Sequence, residues 1–291
     1  MYRWWIVVAC LLPLADISAE SIECEQCEAW NQDQAPFRIF GNTYYVGTRG
    51  LSSVLIVAPS GHVLIDGALP QSAPLIARHI EQLGFRMSDV KLILNSHVHF
   101  DHAGGIAELQ KLSGAKVIVS DAAAAALRSG EPDRADPQFR TLIPYPGADN
   151  VQTLGSRNSV SIGKLELKAI RTPGHTRGGT SWTWQSCEAE RCLTMVYGDS
   201  LSAVSDDTFR YSGDERYPEA KADLLGSMKA LDAVACDILV TAHPGLAQLW
   251  LVFDEQGRGD RERLVDAAAC KHYAATARDR FARRLESERK E

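Results

Sequence analysis

The stretch Asn95–Gly105, NSHVHFDHAGG, places His97, His99, Asp101 and His102 within six residues. It follows an apolar run, Val90–Leu94, that reads as a buried strand. Imidazole and carboxylate are the ligand types that suit zinc and similar borderline metals. Four of them at one strand-to-loop junction would make a poor core, because each buried polar group needs its own partner. Gly104 and Gly105 let the backbone turn closely before a helix begins near Ile106. The bland alternative, a solvated loop rich in histidine, weakens once the downstream histidines are counted.

Two further histidines repeat the setting. His175 lies in Thr172-Pro173-Gly174-His175-Thr176, after the strand pattern 165–170, and His243 lies in Thr241-Ala242-His243-Pro244, after the pattern 238–241. Strand exits are where an open sheet presents functional groups. His62, His79 and His272 lack that context; His79 and His272, on helical patterns, read as surface or packing residues. The six candidates, His97, His99, Asp101, His102, His175 and His243, are too many for one zinc, which in catalysis takes three protein ligands and a water. They fit two metals. His97 and His99, as alternate residues, can face one ion, and Asp101 and His102, further round the turn, can face the other. Zinc lowers the pKa of bound water to roughly 7 and polarises a carbonyl, so hydrolysis is the expected chemistry.

Around these motifs the pattern is α/β. Short strands are expected at 37–40, 44–46, 54–58 and 63–65, a helix at 74–83, the strand 90–94, a helix at 106–112, a strand at 116–119 and an alanine-rich helix at 122–127. A loop with four prolines runs from 130 to 151; its Phe139, Leu142, Ile143 and Tyr145 suit either a flap or packing onto the body. Strands return at 165–170, 180–185, 193–197 and 238–241, with helices at 221–231 and 261–285. Two similar halves, each ending strands in ligand types, fit a single four-layer αβ/βα sandwich.

The 291 residues, 45% hydrophobic with a net charge of −6, carry no basic footprint for nucleic acid or an acidic membrane, which points to small-molecule partners. Arg3, the apolar run 4–14 and Ile17-Ser18-Ala19 read as a signal peptide over residues 1–19, leaving one catalytic domain over 20–291 and an exported, periplasmic product. Without Cys10 six cysteines remain, which permits fifteen pairings. Proximity favours Cys187 with Cys192; Cys236 with Cys270 would tie a strand to the last helix, leaving Cys24 and Cys27 for each other.

The HxHxDH cluster with two later histidines resembles the metallo-β-lactamase superfamily, and over about residues 30–273 the chain is similar to the third subclass of class B β-lactamases. The resemblance is carried by SHVHFDHAGG (Ser96–Gly105), TPGHTRGGTSWTW (Thr172–Trp184), YGDSLSAVS (Tyr197–Ser205) and TAHPG (Thr241–Gly245). It implies a first zinc on His97, His99 and His175 and a second on Asp101, His102 and His243. It further implies Ser200 and Ser202 as contacts for the substrate carboxylate. The first subclass has a cysteine ligand near Ser200, absent here. The implied activity is hydrolysis of penicillins, cephalosporins and carbapenems by a metal-bridging hydroxide, with Asp101 orienting the nucleophile and the 139–145 loop and Trp30 walling the pocket; a monomer is the default expectation, with oligomeric state left open. A thioesterase or lactonase of the same fold is the alternative, in which Asp199 would bridge both metals. Export and the 48 residues after His243 weigh against a glutathione-thioester hydrolase. A non-catalytic metal-binding protein is the remote alternative; no ligand position is lost.

Overall fold

The computed structural model describes residues 21–290; the expected signal segment lies outside them. The chain opens with one helical turn, α1 (Cys27–Trp30), then builds β1 (Phe37–Phe40), β2 (Thr43–Tyr45), β3 (Val54–Ile56) and β4 (His62–Ile65). Helix α2 (Ala73–Gln82) leads to β5 (Val90–Leu94), and α3 (Phe100–Ala103) with α4 (Ile106–Ser113) leads to β6 (Lys116–Val119). Helix α5 (Ala124–Ser129) and a long loop reach β7 (Val151–Thr153). These seven strands form one sheet in chain order, antiparallel through β4 and parallel from β4 to β7.

The second sheet comprises β8 (Ser159–Ile162), β9 (Leu165–Arg171), β10 (Thr180–Glu188), β11 (Arg191–Gly198) and, after α6 (Ala220–Ala233), β12 (Ile238–Thr241). Only the β11–β12 pairing is parallel, so β9, β11 and β12 all run the same way and end at one edge. Helix α7 (Ala269–Glu288) completes the chain.

Period-two alternation explains the layering. In β3 and β4, Val54, Ile56, Val63 and Ile65 face the second sheet, whereas Leu55 and Leu64 face α2 and α4. In β11 and β12, Met195, Tyr197, Ile238 and Val240 face the first sheet, whereas Val196 and Leu239 face α6 and α7. Strands covered on both faces read as continuous apolar runs, as Val90–Leu94 and Ile238–Thr241 do. The result is the αβ/βα sandwich expected from the sequence.

The departures are local. Strands β7 and β8 are short, half-polar edge strands, and their composition reads as loop. The last helix begins at Ala269 rather than 261. Asp266 interrupts it: its backbone N–H donates to Asp237 O at 2.8 Å, and its carboxylate accepts from Ala268 N at 2.8 Å. Residues 261–264 form a separate turn, capped by the Asp260 carboxylate. His62 and His79 are buried, and His79 is a packing residue that bridges Val46 O and Asp33. No helix among the described residues is long and apolar enough to cross a membrane.

All three disulfides pair as expected: Cys24–Cys27, Cys187–Cys192 and Cys236–Cys270. Chain-closure entropy ranks them by separation, 3, 5 and 34 residues. Replacing Cys236 and Cys270 by alanine should lower unfolding free energy by about 4 kcal/mol, against under ~2 kcal/mol for Cys24 and Cys27. Urea titration of the two double variants checks the order; equal losses would contradict it.

Candidate metal centre

The centre is assembled where strands of both sheets end. Asp66, just past β4, is buried with a positive φ of 60°. Its carboxylate accepts from Asn95 Nδ2 at 3.0 Å, Ser96 N at 2.7 Å, Ser96 Oγ at 2.6 Å and Tyr197 Oη at 2.8 Å. It thereby fixes the loop after β5 against β4 and against β11 of the other sheet. Burial pushes this carboxyl up, and His102 and Ser96 oppose the rise. Gly105 and Gly104 serve close approach rather than an unusual dihedral. A Cβ on Gly105 would lie 2.2 Å from Gly67 O, and one on Gly104 would lie 2.4 Å from Pro70. Gly174, at φ +127°, lets His175 turn inward against α6, where a side chain would meet Leu224.

Five imidazoles meet there. The His97 ring lies 4.8 Å from His99, 4.3 Å from His102 and 4.9 Å from His175, and His102 lies 4.8 Å from His243. Each ring but one has a nitrogen held by an oxygen: His97 Nδ1 by Asp199 Oδ1 (2.8 Å), His99 Nε2 by Asp136 Oδ2 (2.9 Å), His175 Nδ1 by Ser202 O (3.0 Å) and His243 Nδ1 by Gly50 O (3.3 Å). His102 Nδ1 stands unpaired, 3.9 Å from Asp66 Oδ2. Such contacts fix ring orientation and leave the other nitrogen for a metal.

Those other nitrogens converge. One donor each from His97, His99 and His175 lies within 4.8 Å of the others, as does one each from His97, Asp101 and His102. His102 Nε2 is 3.2 Å from both Asp101 Oδ2 and His243 Nε2, and His243 Nε2 is 3.4 Å from Asp101 Oδ2. His97 Nε2 is buried without a hydrogen-bond partner among the described residues. A buried nitrogen left bare beside other lone pairs is costly unless a cation fills the gap. The donor set fits a metal cofactor. The six expected ligands are thus brought together, the two groups meeting at the His97–His102 contact.

Electrostatics agrees. Burial and the neighbouring imidazoles hold His97 well below the ordinary histidine range and take His175 down to about 3 and His243 to about 4. Neutral imidazole is the ligating form. Burial also pushes the Asp199 carboxyl well up, a rise that the Ser200 N–H opposes. At His99 burial works against protonation, but Asp136 outweighs it. At Asp101 burial raises the carboxyl, yet His102 and His243 hold it below the usual range. The side chains of His97, His99 and His102 are at most 4% exposed, whereas that of His243 is 29% exposed, so the cluster opens to solvent on the His243 side.

Ser202 sits beside His175, its Oγ 3.1 Å from Nδ1. Ser200 is buried and its backbone N–H serves the Asp199 carboxylate. Trp30 stands 5.5 Å from the His243 ring. The long loop divides its work: Tyr145 packs down, donating to Val98 O at 2.9 Å, while Phe139, Leu142 and Ile143 stay half-exposed. The same loop supplies Asp136, which the sequence did not single out. A lone Asp between Ala135 and Pro137 carries no signal of its own. Asp66 does carry one, as an acidic residue at the exit of a buried strand.

A family model described as the metallo-beta-lactamase superfamily matches residues 46–189. Among solved structures, Rm3 metallo-beta-lactamase is 51% identical with a TM-score of 0.89, over 92% of this chain and 100% of that one. MEM-A1, a subclass B3 metallo-beta-lactamase isolated from a soil metagenome library, is 50% identical with a TM-score of 0.86, over 89% and 98%. Hydroxyacylglutathione hydrolase of Rhodospirillum rubrum is 30% identical over 58% of this chain. The chain spans about half the length of that relative, 53%.

Asp136→Asn and Asp199→Asn should each weaken zinc binding by about 10–100-fold, because the imidazoles they orient lose their fixed tautomer. Competition with a chromogenic chelator reads the affinity. Unchanged affinity in a folded variant would remove that carboxylate from the centre.

Proposed function

The chain belongs to the metallo-beta-lactamase superfamily, and we propose that it is a zinc β-lactamase of the third subclass of class B, opening the lactam ring of penicillins, cephalosporins and carbapenems. One observation carries this reading: six metal-ligand side chains converge in a chain half-identical to the whole of a solved metallo-beta-lactamase. His97, His99 and His175 would hold one zinc, and Asp101, His102 and His243 a second. When bound, the metal supplies a water made acidic enough to attack at neutral pH and a Lewis acid for the lactam carbonyl.

The protein's own groups do the rest. Asp101, held ionised by His102 and His243, can take a proton from the attacking water on its second oxygen. It can then pass that proton to the lactam nitrogen as the C–N bond breaks. Ser202, with Ser200 behind it, would receive the substrate carboxylate, and Trp30 would wall the entry beside His243. The protein would act as a periplasmic monomer after loss of residues 1–19, a setting that suits three disulfides.

The hydroxyacylglutathione hydrolase relatives motivate a thioesterase reading, in which Asp199 bridges two metals. Its position favours the lactamase instead. Asp199 Oδ1 contacts His97 on Nδ1, the nitrogen away from the converging donors, and Oδ2 accepts from Thr172 Oγ1 at 3.3 Å.

The deciding assay offers a penicillin, a cephalosporin, a carbapenem and a glutathione thioester, with chelator and with zinc restored. Lactam turnover that chelator removes and zinc returns is expected; thioester cleavage alone would overturn the reading. Asp101→Asn should lower kcat by about 10²–10⁴-fold. Ser202→Ala should act mainly on KM, as loss of uniform binding does.

A further inference from the structure

Outside the metal centre a cavity of about 410 Å³ opens between α7, the outer face of β12 and the segment after His243. That volume is within the range of small-molecule sites. Its lining is mixed and includes Leu246, Leu251, Arg263 and Arg280. Leu251 is among the few large apolar side chains left exposed, at 66%. Neither guanidinium forms an ion pair or a side-chain hydrogen bond among the described residues. The one lining carboxylate, Asp266, is taken up by His272 at 3.4 Å and by Ala268 N. The cavity therefore sets apolar surface beside two exposed guanidiniums that outnumber its one carboxylate.

Its floor is the backbone that supports the metal centre. Leu201, Ser202 and Tyr273 line it. Tyr273 Oη donates to Asp199 O at 2.9 Å and accepts from Leu201 N at 3.2 Å, while Ser202 O holds His175. Asp199 in turn holds His97.

We propose that this cavity is a second binding site, for an amphipathic organic anion whose apolar body lies on Leu246 and Leu251 and whose carboxylate or sulfonate is taken by Arg263 and Arg280. Through residues 199–202 an occupant is coupled to the metal centre. The binding half stands apart from the lactamase reading; the coupling half rests on the metal centre.

Anilinonaphthalene sulfonate is the probe, titrated by fluorescence into folded protein whose metal centre is blocked with a small thiol. One saturable site is expected. The double variant Arg263→Glu/Arg280→Glu should weaken it by roughly tenfold or more, as loss of charge-assisted bonds does. Thr276→Trp, which fills the cavity from an exposed position, should abolish it; circular dichroism and thermal melting verify folding. Failure to bind, displacement by the thiol, or binding indifferent to these variants overturns the site. Coupling predicts that the probe affinity of the thiol-free protein differs by about threefold or more between zinc-loaded and zinc-free forms, since linkage is reciprocal. Equal affinities would overturn the coupling and leave the site.

Discussion

The buried carboxylate of Asp66 is the constraint on which the architecture turns. It sits at the end of β4 and takes hydrogen bonds from Asn95, Ser96 and Tyr197, so it joins two neighbouring strands and the facing sheet at one point. Hydrogen bonds to a charged acceptor contribute about 1.5–3 kcal/mol each, and removal of the acceptor would strand several buried donors at once. The loop that carries His97, His99, Asp101 and His102 starts from this anchor. Trp182 adds a second tie, its indole N–H donating to Asn95 O at 3.2 Å.

From that anchor outward, four of the five imidazoles are steered from behind by an oxygen, His102 being the exception. The oxygens come from unrelated places in the chain, Asp199 after β11, Asp136 in the proline-rich loop, Ser202 O, and Gly50 O near the start. Gly50 is itself set by Trp30, whose carbonyl accepts from Gly50 N at 3.2 Å and from Thr48 Oγ1 at 2.6 Å. Helix α1, stapled by Cys24–Cys27, therefore acts on His243 through two links of backbone. Burial and crowding hold His97, His175 and His243 toward the neutral form that accepts a cation, while Asp136 and Asp101 pull His99 and His102 the other way.

Legibility varied with how local the physics was. The strands at 90–94 and 238–241 were evident because both faces are covered, and the helix at 74–83 because its apolar residues recur every turn. Strands β7 and β8 were missed, since three or four half-polar residues at a sheet edge have no pattern to distinguish them from loop. The start of α7 was placed eight residues early because its charged amphipathic pattern continues back through Asp266, and only the bond to Asp237 ends it.

What the sequence determined by itself was the kind of chemistry and the kind of fold. Histidines and an aspartate at the exits of apolar runs specify a metal and specify sheets that end at it, because residue type and strand period are both written locally. What only the tertiary structure decided was which oxygen holds which ring, that Asp136 belongs to the centre, and that Asp199 lies behind His97 rather than between the metal-facing donors. Those contacts span 37 and 102 residues of chain. No local pattern encodes such a distance; the pairing exists only once two covered sheets have been pressed face to face.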